Sequence, residues 1–595
     1  MQISLSISDY VVMAGYLVGL VVIGFFCSSS KKDSKAYLLG GGKMPYFALG
    51  ISCLMAALSA FSLVMVPGEI FNHGLSYWVL GLLTPLFTVV TCSIFMRFYF
   101  KIGAFTPFEY LERRYSPEIR TLVASLTIYL RLIYLGMVLF STSKIFEGAA
   151  GWPGWVTILL CGGIALIFTT AGGFKAVVWT DVMQFVVLVG GLFCILGALW
   201  IKIDGGLWGG IVYAFQNGRG LDQFAKPEFY MLNPYVRLSF WLLLLGQIMA
   251  PISIMASDQM TVQRLLASGS YKAAVKTQVV NTCLTIPTII ILWIIGLTVF
   301  TFFAQNPDVS AKSGDTALFT FISTQLPSPI PGFIIAGMLA AVISTLNAVF
   351  NSMATVYLKE IHLRYLNPGM TEIDQVKVSR IATVAIGLIA CGLGLLITCS
   401  AERLAQSVVE ASTIFNAFEV VIVPAFIFAV LSRRASTLLA WVTAGLLWGL
   451  KLGMITWYFL STATIRDWQP GMATGWAGPL EWSFSVPPIL IGLLVLVLWI
   501  YLRNRGKRFT TPVLVLGTSL IGYGIALIIW AIFSNIYCRE TARAVSFQWL
   551  GLPPIICYTL IGIIWLTFGK VQPKEKYAGL TLFDKSDIIA DENEN

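Results

Sequence analysis

Apolar residues run along this chain in long blocks, without the alternating or every-third-to-fourth pattern of a water-facing domain. Candidate membrane spans lie near 8–28, 45–71, 75–99, 118–147, 152–170, 178–202, 238–260, 277–304, 331–358, 380–399, 405–431, 437–460, 482–502, 513–534 and 550–568. Each is about 20 residues or longer with few charges, enough for a helix to cross a hydrocarbon core roughly 30 Å thick. Only helices and closed barrels satisfy their own backbone hydrogen bonds in lipid, and runs of this length fit helices. The pattern predicts an all-α integral membrane protein with thirteen to fifteen spans.

Composition points the same way. Hydrophobic residues make up 57% of the 595 and charged ones only 11%, whereas soluble domains carry roughly 25% charged residues. A surface facing water cannot be covered with so few charges. The net charge of +10 does not indicate nucleic acid, because the basic residues form no single stripe. They concentrate in alternate loops: Lys31, Lys32, Lys35 and Lys43; Arg97, Lys101, Arg113, Arg114 and Arg120; Arg264, Lys272 and Lys276; Lys359, Arg364, Lys377 and Arg380; Arg433 and Arg434; and Arg503, Arg505, Lys507 and Arg508. The positive-inside rule then places the N-terminus outside the cell membrane and the C-terminus in the cytoplasm, which requires an odd number of spans. No Lys or Arg precedes the first apolar run, so that run is expected to remain as an anchor helix. The ten cysteines form no C-x-x-C pair, His73 and His362 are too few for a His-based metal site, and no phosphate-binding glycine loop is present. No nucleophile–base set converges in the sequence either, so an enzyme is not expected.

Polar groups inside the spans carry the functional signal. The second span, PYFALGISCLMAALSAFSLVMVPGE, has Ser52, Ser59 and Ser62 among small residues, then Pro67 and Gly68. The seventh has Gly246, Gln247 and Pro251 at mid-depth. Both are expected to break inside the membrane, where freed carbonyls are tolerated only against protein or a water-filled cavity and can there coordinate a cation. The two lie five spans apart, as first members of two successive five-helix sets. Interrupted helices at matching positions of two repeats point to a secondary-transporter binding site. The ninth span adds adjacent hydroxyls at Ser344 and Thr345, with Ala341 one turn earlier and Asn347 beyond. Neutral oxygen donors suit a hard cation, although small-residue helix packing would use the same residues. Charges within spans cost several kcal/mol and are functional candidates by default: Asp181 after a Gly-Gly turn, Arg131 in the fourth span, and Glu410 and Glu419 in the eleventh. For Arg131 the competing reading is a structural salt bridge to one of those glutamates.

The segment GGFKAVVWTDVMQ (172–184) closely resembles the signature of the sodium:solute symporter family. The resemblance continues through FTPFEYLERRYS (105–116), SDQMTVQRLLAS (257–268) and AAVISTLNAVFNS (340–352), in the family's order over roughly residues 8–434. It implies a leucine-transporter-type inverted repeat with one leading helix and a five-plus-five core, which on the spans above gives a leading helix and inner loop (1–44), five helices (45–202), an outer loop (203–237), five more helices (238–434), accessory spans (435–568) and a cytoplasmic tail (569–595). The Gly-rich and aromatic stretches of the outer loop are expected to carry a short lid helix, and the polar tail, ending DENEN, to be solvated. It implies Na+ as coupling ion and no organic cofactor. The sodium ligands carried over are the carbonyls of Met55, Leu58 and Ala341 and the hydroxyls of Ser344 and Thr345. Some members hold a second sodium, which would fall here on Asp181 and Asn347, with Ala348 offering no hydroxyl. The substrate pocket is expected at Ser59, Ser62, Gly81, Thr84, Arg131, Gln247, Pro251, Thr285 and Ser412. That set is short of polar groups for a hexose. An arginine on the third core helix would suit the carboxylate of an organic acid or amino acid.

The function expected from these observations is sodium-driven symport of a small organic solute by alternating access, by a monomer in the lipid bilayer with no nucleic-acid partner. Proton coupling through Glu410 or Glu419, and a sensor that binds solute without moving it, are the rival readings.

Overall fold

A computed structural model of the protein describes residues 6–26, 33–231, 239–309, 314–404, 422–466, 477–504, 511–537, 552–577 and 580–582. All regular structure among the described residues is helical. In chain order these are α1 (Ile7–Phe26), α2 (Ser34–Leu39), α3 (Tyr46–Ala57), α4 (Ala60–His73), α5 (Leu83–Ile102), α6 (Phe108–Arg114), α7 (Pro117–Ala150), α8 (Gly154–Lys202) and α9 (Gly206–Ala214). There follow α10 (Phe240–Ser257), α11 (Gln259–Leu266), α12 (Tyr271–Gln305), α13 (Gly314–Gln325), α14 (Ile330–Val356), α15 (Glu372–Leu404), and five more at Ile422–Leu431, Thr437–Arg466, Ala477–Asn504, Thr511–Tyr537 and Leu552–Phe568.

Nine of the described helices are long and apolar enough to span a bilayer, or ten if the bent pair α3–α4 is one span. That is fewer than the thirteen to fifteen expected, for identifiable reasons. The 49 residues of α8 would stretch about 74 Å as one straight helix, more than twice the membrane core. Gly173, at φ +65°, breaks them into two legs, which match the separate spans expected at 152–170 and 178–202. Most of the expected span 405–431 lies outside the described residues, and Ile422–Leu431 is the part seen.

The two predicted interruptions behave differently. α3 ends at Ala57, Leu58 and Ser59 are extended, and α4 restarts at a 58° bend, with the Ser59 hydroxyl accepting from the Ser62 N–H at 3.4 Å. The break therefore precedes Pro67, which sits inside α4. α10, by contrast, runs unbroken through Gly246, Gln247 and Pro251 and stops at Asp258, which corrects the expected mid-depth break. The reason is local. Pro251 has no N–H for the Gln247 carbonyl one turn back, and Thr84 on α5 donates to that carbonyl at 3.5 Å. Lower down, Thr91 donates to the Pro251 carbonyl at 3.3 Å and Tyr99 to that of Ala256 at 2.8 Å. Side chains of α5 thus supply donors along α10.

The chain divides into two compact units. One comprises Met1–Pro107, Ile128–Lys226 and Gln247–Ala411. Its centre is α14, whose membrane stretch is 94% buried. Glycines let α14 lie close against neighbours: a Cβ at Gly337 would fall 3.3 Å from the Cα of Leu188 on α8. The Gly332 N–H donates to Asp9 of α1 at 2.9 Å, so the leading helix is tied to the start of α14. The loop that follows α8 carries a short helix, α9. Behind it Arg219 donates to the Phe71 carbonyl at 2.8 Å and lies 4.6 Å above the Phe300 ring.

The other unit comprises Phe108–Thr127, Pro227–Gly246 and Ser412–Asn595. Here Gly445, Gly449 and Gly453 form a ridge against Thr511–Tyr537, where any side chain at Gly449 would strike the Ser519 carbonyl. This unit also shows that the first part of the expected solvated tail is docked, while 583–595 lies outside the described residues. Residues 572–577 and 580–582 lie on α6 and on the end of Ile422–Leu431: the Tyr110 hydroxyl donates to the Leu580 carbonyl at 2.6 Å, and Lys576 to that of Tyr115 at 2.9 Å. Buried Arg114 donates to the carbonyls of Ala429 at 2.9 Å and Lys576 at 2.6 Å. The polar composition of the tail misled, because its bonds run through backbone groups that composition does not register.

Candidate functional site

Four helices meet at Asp181, which is fully buried. The Ser344 hydroxyl of α14 donates to one carboxylate oxygen at 2.6 Å, and the Ser52 hydroxyl of α3 donates to the other. Arg264 of α11 forms an ion pair with that second oxygen at 3.5 Å and donates through Nε to the Ser52 hydroxyl at 2.8 Å. Its Nη1 donates to the Met260 carbonyl at 2.9 Å. A carboxylate out of water requires a counter-charge and filled lone pairs, and this set supplies both.

The cluster fixes the surroundings of the break in α3. Ser52 lies one turn before Met55, whose backbone belongs to the final turn, where carbonyls have no intrahelical partner. Leu58 is the extended residue that follows. Because Ser52 and Ser344 bind one carboxylate, that turn is held beside the middle of α14, where Ala341 and Thr345 are also fully buried. The Thr345 hydroxyl donates to the Ala341 carbonyl at 3.1 Å. Such a donor set of carbonyls and hydroxyls is suited to an alkali cation. Asn347 accepts from the Thr169 hydroxyl at 3.0 Å, on the first leg of α8.

The expected pocket residues are brought together only in part. Thr84 donates to the side-chain oxygen of Gln247, joining α5 to α10. Pro251 presents its carbonyl to Thr91 on the same two helices. Ser59 and Ser62 sit at the start of α4, and Gly81 lies in a tight turn before α5. Thr285 turns to its own helix, donating to the Asn281 carbonyl at 2.7 Å. Arg131 is in a salt bridge at 2.8 Å with Asp258, the N-cap of α11; the glutamates expected to pair with it lie outside the described residues. Ser412, Glu410 and Glu419 lie outside the described residues.

Sequence reasoning missed Arg264 and Asp258, and did not give Ser52 a role at the site. Both charged residues sit in the SDQMTVQRLLAS stretch, where Arg264 was counted with the loop charges. The available signal was arithmetic: an acid buried at Asp181 needs a base within reach.

The family model described as the sodium:solute symporter family matches residues 37–453. The sodium-dependent multivitamin transporter of Oryctolagus cuniculus is 29% identical over 397 residues, 65% of this chain and 61% of that one. A sodium/sialic acid symporter of Proteus mirabilis is 27% identical over 383 residues, 64% of this chain and 76% of that one. A solved Na+-coupled sialic acid symporter, in a substrate-bound outward-open state, has a similar fold, with TM-score 0.66 at 20% identity over 89% of this chain and 98% of that one. With 417 of its residues within the family model, broken α3–α4 set against α14, and spans throughout, the chain belongs to the sodium:solute symporter family and is a multi-pass, sodium-coupled secondary transporter of a small organic solute, not an enzyme.

Proposed function

We propose that sodium binds between the end of α3 and the middle of α14, held by the carbonyls of Met55, Leu58 and Ala341 and the hydroxyls of Ser344 and Thr345. The observation that carries this is the shared carboxylate: Ser52 and Ser344 both donate to Asp181, which keeps the two halves of the donor set adjacent. The ion would stabilise the outward-open arrangement, the solute would bind next to it, and rocking would expose both to the other side. Coupling of this kind is reciprocal, so each ligand raises the affinity of the other.

The assignment extends to the whole chain. In it α3–α4, α5, α7 and the two legs of α8 form one repeat of five, and α10, α12, α14, α15 and 405–431 form its inverted partner. One span leads and four trail, giving fifteen, with the N-terminus outside and the C-terminus in the cytoplasm, in a monomer. A single sodium fits best, since Asp181 is already matched by Arg264 and Asn347 is engaged by Thr169. The solute is an organic acid or amino acid, in keeping with the sialic acid symporters that resemble this chain. It would be read by neutral groups such as Thr84, Gln247 and the Ser59–Ser62 turn, because Arg131 is engaged with Asp258.

The test is a thermal-shift screen of small acids and amino acids in sodium or choline chloride, followed by uptake of any hit whose stabilisation needs sodium. Ser344→Ala with Thr345→Ala should abolish sodium-stimulated uptake while leaving the protein in the membrane. Unchanged uptake in that double variant refutes the site, and equal uptake in choline refutes sodium as the coupling ion.

A further inference from the structure

We propose that α11 is a lever, with the neighbours Gln263 and Arg264 as positioning residues that make closure of α2 depend on the state of the ion site; this rests on the sodium site proposed at Ser344. Arg264 holds one end of the arrangement, paired with Asp181 and donating to Ser52. Gln263, the adjacent residue, holds the other. Its side-chain nitrogen donates to the Leu38 carbonyl of α2, to Asn351 at 2.9 Å and to Thr355 at 3.2 Å, both on α14. Both side chains are almost fully buried. Eight residues of helix thus carry the ion-site carboxylate and the α2 backbone on consecutive positions.

α2 has the form of a plug. Tyr37 and Leu38 are buried although they belong to a six-residue helix between two spans. The Tyr37 hydroxyl donates to the carbonyls of Thr169 and Thr170, each at 3.2 Å, just before the α8 break. Its ring covers Gly173 so closely that a Cβ there would lie 2.7 Å from it. The Arg380 guanidinium stands 5.5 Å from the centre of the Tyr37 ring, and Glu372 accepts from the Ser34 N–H at 3.0 Å. α2 is therefore wedged against α8, α11 and α15, and the Gln263 amide ties it to the residue that senses Asp181. While a sodium ion sits beside Ser344, Asp181 and Arg264 keep this arrangement and Gln263 stays on the Leu38 carbonyl; once the ion leaves, Arg264 is free to shift, and a shift of α11 moves Gln263 off that carbonyl.

The experiment is hydrogen exchange of residues 33–42 in the full-length protein in proteoliposomes, in sodium or choline chloride, with melting temperature followed alongside. Sodium should slow exchange there by about tenfold in the wild type. In Gln263→Leu, sodium should still raise the melting temperature, but the exchange difference should fall below about twofold. Tyr37→Phe tests the same link from the plug and should give the same uncoupled pattern, should Gln263→Leu fail to fold. Sodium-dependent protection kept at the wild-type level in either folded variant overturns the lever. A wild type whose melting does not respond to sodium at all overturns the ion site first, which distinguishes the two failures.

Discussion

Arg264→Met isolates the electrostatics at the centre of the molecule. The ion pair with Asp181 spans 3.5 Å, which at an effective dielectric near 20 corresponds to a gross attraction of about 5 kcal/mol. Methionine keeps most of the volume and removes the charge, leaving a fully buried carboxylate with only the hydroxyls of Ser52 and Ser344. Stranding one partner of a buried pair typically costs about 3–5 kcal/mol. Asp181→Asn strands the guanidinium and should cost a similar amount. Removing both charges together leaves neither uncompensated, so Asp181→Asn with Arg264→Met should lose only about 1–2 kcal/mol, far less than the sum of the singles. Reversible unfolding of all four proteins in mixed micelles measures this cycle. Additive losses would mean that the two charges do not neutralise one another, and the account of the site would fall with them.

Three further outcomes follow from single contacts. Thr84→Val keeps the shape of the side chain but leaves the two Gln247 oxygens it serves without that donor, and should cost about 1–2 kcal/mol; unchanged unfolding in micelles would show that α10 does not depend on α5 at Pro251. Tyr110→Phe removes the bond to the Leu580 carbonyl, worth about 1 kcal/mol, and should speed tryptic cleavage at Lys574 and Lys576; equal digestion rates would contradict the docked tail. Gly173→Ala must hold φ near +65° and push its Cβ into Tyr37, for a loss of at least about 1–2 kcal/mol. An alanine variant that melts like the wild type would refute the tight α8 turn.

The spans were legible because lipid makes length and apolarity nearly sufficient: α5, α7, α12, α14 and α15 all fall on expected runs. The α3–α4 break was legible as well, since Ser59 and its small neighbours fill a stretch that packing alone would give to larger residues. The α10 break was misread because proline marks only the loss of a donor. Whether the helix yields depends on a replacement, and Thr84 sits 163 residues away in sequence. The short helices α2, α6 and α11 went unseen for a related reason. They are too short for a periodic signal, and they are stabilised by tertiary bonds from Gln263, Arg114 and Arg264 whose partners lie far along the chain. At the site, Asp181 and Ser344 were identified from local sequence, whereas Arg264 belongs to the same cluster only through the fold.

Two buried ion pairs of this unit, Arg131–Asp258 and Arg264–Asp181, share one element, and that explains how so short a helix holds its place. Eight residues cannot sustain a helix alone, since nucleation costs more than the few hydrogen bonds return. α11 carries Asp258 at its N-cap, where the helix dipole favours an anion, and Arg264 in its last turn, where the dipole favours a cation. Asp258 also accepts from the Met260 N–H and the Thr261 hydroxyl. Each end is then neutralised by a charge on a long helix: Arg131 of α7 at one end and Asp181 of α8 at the other. Charges that lipid would reject singly are retained because each completes a terminus of α11. Displacing α11 from either neighbour would strand a buried charge, at a cost of several kcal/mol. The helix must therefore move with α7 and α8 as one body, and any change at Asp181 is felt first by α11.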